Sequence, residues 1–146
     1  MSALPSGNER LFQQGLNVRG VFVFGSASSA QEITLYNQAD GSVVVLAADE
    51  ILVIDTFEIR STASGFVILF FDNDQAADDS VQSQWASTSL VTAGTSYFRR
   101  WSERSAPQGE AEGKPFVSIS AESDIAGIIT GFIRKIVPKA LQPAKV

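Results

Sequence analysis

From Val18 onward, short apolar and β-branched runs alternate with clusters of Gly, Asp, Ser and Ala, a rhythm that predicts strands joined by turns. Val18 to Phe24, Gln31 to Tyr36 and Val43 to Leu46 are the first three predicted strands. Asp40-Gly41 supplies a tight hairpin between the second and third, because both residues tolerate positive φ. Glu50 to Arg60 is a long fourth strand. In its second half Phe57 and Ile59 alternate with Thr56, Glu58 and Arg60, giving one dry face and one wet face. After a turn at Ser61 to Gly65, the run Phe66 to Phe71 is apolar at every position, which predicts cover on both sides. One side meets the core, and the other meets a second layer or a neighbouring subunit. Phe66, Ile68, Leu69, Phe70 and Phe71 are therefore candidate interface residues.

Asp72 to Ser83 reads as an acidic loop. Trp85 to Val91 and Thr95 to Trp101 are further strands, divided by Ala93-Gly94. Arg104 to Lys114, with Pro107, Gly109 and Gly113, reads as a mobile loop, and Phe116 to Ser120 and Gly127 to Val137 are the last strands. Roughly nine strands, a turn signal about every ten residues and no amphipathic helical stretch predict an all-β fold, a two-sheet sandwich or jelly roll. Residues 1–17 are polar and read as an N-terminal arm, 18–137 as the sandwich body, and 138–146, bounded by Pro138 and Pro143, as a C-terminal arm.

Composition narrows the function. The 146-residue chain is 45% hydrophobic and only 18% charged, which means either an unusually large core or apolar surface that needs covering, the second pointing to an oligomer. It has no histidine and no cysteine, which removes Ser-His-Asp and Cys-His catalysis, the commonest zinc ligands and any disulfide. Any chemistry would rest on carboxylates, Lys, Arg or Tyr; no enzymatic activity and no cofactor are expected. The N-terminus lacks a signal-peptide pattern, and no apolar run is long enough for a membrane helix. The glycines Gly7, Gly15, Gly20 and Gly25 have the wrong spacing for a phosphate-binding loop.

Three constellations could carry function. Asp72, Asp74, Asp78 and Asp79 could gather on a calcium ion, but an EF-hand loop starting at Asp72 would need Gly and Glu where Ala77 and Ser83 stand. A solvated acidic loop is the simpler reading. Asp55 and Glu58 could be a glycosidase pair, yet odd spacing puts them on opposite strand faces unless a bulge intervenes. Tyr97-Phe98-Arg99-Arg100-Trp101, with Trp85, could be a half-buried strand, a protein contact or a stacking platform for sugars or bases. Tyr97 and Trp101 join the interface candidates. Residues 1–124 carry 16 acids and seven bases, and residues 125–146 carry four bases and no acid, within a total of −5. The basic end, with Lys139 and Lys145, suits an acidic protein surface better than nucleic acid, which the acidic body would repel.

Gly113-Lys114-Pro115-Phe116-Val117-Ser118-Ile119-Ser120 enters an alternating strand, and Ile125 to Ile133 follows with Gly127 and Gly131 among β-branched residues. With the long hairpin of Glu50 to Arg60 and Phe66 to Phe71, this strand pattern over 31–133 resembles the jelly-roll decoration (cement) proteins of tailed-phage heads. Those proteins are structurally similar to tumour-necrosis-factor-like trimers. The resemblance implies a virion structural protein: a homotrimer on the capsid exterior, bound to the major capsid protein or another virion scaffold. The competing reading is a carbohydrate- or small-ligand-binding sandwich that stacks its ligand on Trp85, Trp101 and Tyr97.

Arms too polar to form core are expected to hold the partner. Truncation after Val137, or removal of residues 1–17, should leave the oligomer folded and weaken its binding to the shell. Co-sedimentation with undecorated capsids checks this; binding as tight as that of the full chain would make the arms passengers.

Overall fold

A computed structural model describes residues 16–25, 30–72, 84–102 and 104–136. These residues form ten strands and no helix: β1 (Leu16–Phe24), β2 (Gln31–Glu32), β3 (Leu35–Asn37), β4 (Val43–Val44), β5 (Glu50–Ser61), β6 (Gly65–Asp72), β7 (Gln84–Val91), β8 (Ser96–Arg100), β9 (Lys114–Ile119) and β10 (Ile125–Lys135). They make a six-stranded sheet in the order β4-β3-β1-β10-β5-β8 and a four-stranded sheet in the order β2-β9-β6-β7.

The order follows from one long hairpin. Apart from β3 and β4, the strands pair first with last: β1 with β10, β2 with β9, β5 with β8 and β6 with β7, all antiparallel. Winding this doubled chain on itself brings β10 beside β5 and β9 beside β6. That winding is a jelly roll. The inner faces of the two sheets enclose one apolar cluster, in which Phe57, Leu69, Phe71, Val117 and Ile129 are buried.

Several boundaries differ from those the sequence predicts, each for a physical reason. Gln31 to Tyr36 is one extended stretch but serves two sheets. Ile33 N–H still bonds Pro115 O on β9, and Tyr36 already pairs with Arg19 on β1. Such a bent strand is how a sandwich turns a corner. The third predicted strand contracts to Val43–Val44. A turn does form there, but a wider one than the tight hairpin expected: Asn37 N–H bonds Ser42 O around four intervening residues, Gly41 takes φ +74° while Asp40 does not turn positive, and Asp40 Oδ1 accepts from both the amide and the hydroxyl of Ser42. Those bonds, the side-chain one first, hold the Asp40 carboxyl below its usual range.

The segment 104–113 is not the mobile loop the glycines and proline predicted. It is laced to β5, with Ile54 N–H on Pro107 O, Gly109 N–H on Leu52 O and Glu112 N–H on Glu50 O. It takes the place of a partner strand where β8 has ended. Leu16 and Asn17 belong to β1 rather than to the arm. Residues 1–15, Val137 and the C-terminal arm 138–146 lie outside the described residues.

The central strand β10 runs between β1 and β5, and Gly127 allows the close fit. A Cβ there would meet Glu58 O on one side and the Phe22 ring on the other. Gly127→Ala is therefore expected to cost about 1–3 kcal/mol through overpacking. A fall in the urea midpoint with unchanged slope checks it; an unchanged midpoint would show that the strands move apart freely.

Candidate functional site

Strand alternation assigns every residue of the larger sheet to a side. On β1, Val18, Gly20 and Phe22 face inward, so Arg19, Val21 and Val23 face outward. Registers carry that assignment across the sheet. One outward row runs Val23, Ala126, Arg60 and Ser96; the next runs Val21, Ile128, Glu58 and Phe98. A third runs Val43, Tyr36, Arg19, Thr130, Thr56 and Arg100. Apolar side chains thus stand where a solvated antiparallel sheet puts polar ones. Val23 is 77% exposed, Val45 76% and Phe98 56%. Val21 and Val43 are also more than half exposed and share this face with Val23 and Phe98; Val45 follows the end of β4.

The charges on the face are one-sided. Arg19, Arg60 and Arg100 stand against Glu58 alone in these rows, on a chain whose total is −5. The Arg60 guanidinium donates to Gly94 O at 2.8 Å, which holds it at the rim. A groove of about 470 Å³ runs there between Val23, Arg60, Thr62 and Asp124. An apolar surface edged by arginines is suited to another protein surface with acidic groups at its border.

Asp55 is placed differently from the sequence expectation. The ladder between β5 and β10 shifts register beside it, so Thr56 pairs with Thr130 and Ile54 with Gly131. This bulge supplies what odd spacing alone lacked, and turns the Asp55 carboxylate onto the outer face where Glu58 also lies. Thr130 Oγ1 donates to Asp55 Oδ1 at 2.5 Å, and Thr130 also bonds Thr56 through its hydroxyl. The carboxylate pins the centre of the face. Among the described residues no three acidic side chains come close enough together to hold a metal ion.

The other sequence candidates divide between core and surface. Leu69 and Phe71 belong to the inner cluster. Phe70 lies on the opposite side of β6, buried and stacked on Phe116 at 5.6 Å. Ile68 is half-buried, whereas Phe66 is 53% exposed beside the exposed Leu90. Cover on both sides therefore holds within the protomer for the second half of that run. Trp101 is buried, with Arg99 lying 5.0 Å from its ring, and Tyr97 meets Phe57 edge-on. Trp101 is therefore no open platform for a sugar, whereas Tyr97 is half-buried; the Trp85 side chain lies outside the described residues. Asp72 is the buried last residue of β6 rather than part of a loop. Asp74, Asp78, Asp79, Lys139 and Lys145 lie outside the described residues. Val21, Val23 and Val43 carry no signal in the sequence reading, although Val21 and Val23 stand in the register of β1 that should be wet; Phe98 belongs to the strand already weighed as a protein contact.

No protein-family model matches the chain, and no curated protein matches it. Among solved structures, a chain from the disulfide-linked pili of Bacillus endospore appendages is similar over 94% of this chain and 100% of its own, with 10% identity and a TM-score of 0.43. A chain from the Gx strain of infectious bursal disease virus is similar over 87% of this chain and 43% of its own, with 10% identity and a TM-score of 0.23. This chain therefore spans under half the length of the viral one. Among the described residues no helix is long and apolar enough to cross a membrane.

Thr130→Val removes the donor to a half-buried carboxylate and should cost about 1–3 kcal/mol in urea unfolding, with Thr130→Ser close to wild type. Equal stability of the two variants would mean that water serves Asp55 as well as the hydroxyl does.

Proposed function

We propose that this chain is a non-enzymatic structural subunit: a homotrimer that decorates and stabilises the outside of a tailed-phage capsid, held by the major capsid protein or another virion scaffold. The observation that carries the self-association is the outer face of the larger sheet, with Val21 and Val23 exposed on β1 and Phe98 on β8. Apolar patches of this kind on a water-facing sheet mark interaction sites.

The charge pattern favours a ring over a face-to-face pair. A twofold contact presses a surface against its own copy, and would set Arg19, Arg60 and Arg100 against the same three arginines, with Glu58 and the Thr130-bonded Asp55 of each copy to offset them. A threefold contact is heterologous, so the same face meets a different surface of the next copy. On a chain of −5, that surface has acidic groups to offer. The jelly-roll winding agrees with the strand-pattern resemblance to decoration proteins, but folds of this type host many functions. The virion assignment therefore rests on that resemblance and on the self-association together.

The test begins with mass. Light scattering of the full chain at micromolar concentration should give three times the chain mass. Val23→Asp combined with Phe98→Asp should give monomers whose sandwich keeps its stability within about 0.5 kcal/mol, as surface substitutions do. A monomeric wild-type chain would end the trimer reading. A trimer that fails to sediment with undecorated capsids would end the decoration reading alone.

A further inference from the structure

The outer face of the larger sheet changes character from one end to the other. Val18 faces inward, so Asn17 and its partner Phe132 face outward, and Val53 opposite Phe132 does too. Two residues back along β5, Ile51 pairs with Arg134 and shares that side. This is the side on which Val21, Val23 and Phe98 stand exposed. Yet Ile51 is only 5% exposed, Val53 2% and Phe132 3%.

A strand of a two-layer sandwich has one side against the core, and burial on its other side needs a further cover. The smaller sheet packs on the inner side and does not supply it. The segment 104–113 runs beside β5 as a neighbouring strand would, and its Gln108, bridged to Val53, is itself exposed. Arg134 reaches across β5 and donates to Gln108 Oε1 at 3.0 Å. Its Nε is nevertheless buried, with no hydrogen-bond partner among the described residues. A guanidinium nitrogen shut off from water on this side calls for chain lying over it, with an acceptor to offer.

We propose that residues 1–15 of the same chain fold back across the outer side of β10 and β5 and cover Ile51, Val53 and Phe132, with Leu11 and Phe12 as apolar anchors. β1 begins at Leu16, opposite Ile133 and next to the pair of Asn17 with Phe132, so this segment enters the sheet beside the covered patch. Leu11 and Phe12 stand four or five residues before Leu16, a reach of roughly 13–18 Å. β5 lies two strand spacings from β1, roughly 10 Å. The C-terminal segment leaves from the same end, where Ile136 N–H bonds Asp49 O. Residues 138–146, however, would bring Lys139 and Lys145 and no acid toward Arg134. Residues 1–15 balance Arg10 with Glu9 and add no net like charge to that site. The N-terminal segment then completes the protomer, against the expectation that its polarity frees it for a partner. Val21, Val23 and Phe98 are what the face leaves open to another copy.

The absence of cysteine makes thiol reporters clean. In the full chain, Val53→Cys should react slowly with a maleimide. Adding Leu11→Ser and Phe12→Ser should speed it about tenfold, the factor that one lost buried anchor accounts for. Ile51→Cys should respond in the same way, and serves if Val53→Cys folds poorly. Leu52→Cys faces the core and should ignore the anchor substitutions; an equal acceleration there would mean that the whole sandwich opens, and would overturn the proposal. Leu141→Ser should leave every rate unchanged. Protection at residue 53 should persist in Val23→Asp, Phe98→Asp chains that scatter light as monomers. Free reaction in the full chain, indifference to the Leu11 and Phe12 substitutions, or a response to Leu141→Ser would each overturn the assignment. Loss of protection in monomers would overturn it too, by giving the cover to a neighbouring copy. A wild-type chain that is monomeric from the start would end the trimer reading and leave these results standing.

Discussion

The ladder between β1 and β10 is the constraint on which the other strands depend. It runs unbroken from Leu16 opposite Ile133 to Phe24 opposite Ile125 and closes the doubled chain that the jelly roll winds up. Because side chains alternate, a slip of one residue would turn Val18 and Phe22 out and Arg19 in, so burial of the dry face enforces the register. β10 must then accept β5 on its other side. Gly127 and Gly131 make that possible by leaving the Glu58 and Val53 carbonyls unobstructed. Gly20 performs the same service for the corner at Ile33. A few missing Cβ atoms in the central strands thus set the separations that the larger side chains fill.

How much of this was legible in the sequence depends on range. Strand existence was readable because period-two alternation is local, and a turn at Gly41 because φ > 0 is a local demand, though not the loop length. The sandwich followed from the count and spacing of turns. Sheet membership was not readable at Gln31 to Tyr36, where one extended stretch changes partner midway. The segment 104–113 looked like a loose loop because its order comes from β5 backbone groups, and composition does not register such bonds. Asp55 was misplaced for the same kind of reason. A bulge is a mismatch between two strands distant in sequence, and it reversed the side on which the carboxylate lies. The exposed face lay in plain view in Val21 and Val23. The run Phe66–Phe71 is the stronger apolar signal, yet its continuous apolarity is largely consumed by the protomer's own burial.

The winding also bears on when the protein becomes itself during synthesis. The strands at the centre of the larger sheet come from opposite ends of the described chain, and β5 lacks its β10 neighbour until that late strand has left the ribosome. β6 and β7 adjoin in sequence and pair without waiting, so the smaller sheet gains a hairpin while the larger one is still open. Pairings so distant in sequence make folding slow, and an unfinished larger sheet leaves apolar strands bare in the meantime. The nascent chain therefore spends most of its emergence as an incomplete sandwich, and chaperone demand should be greatest just before β10 arrives.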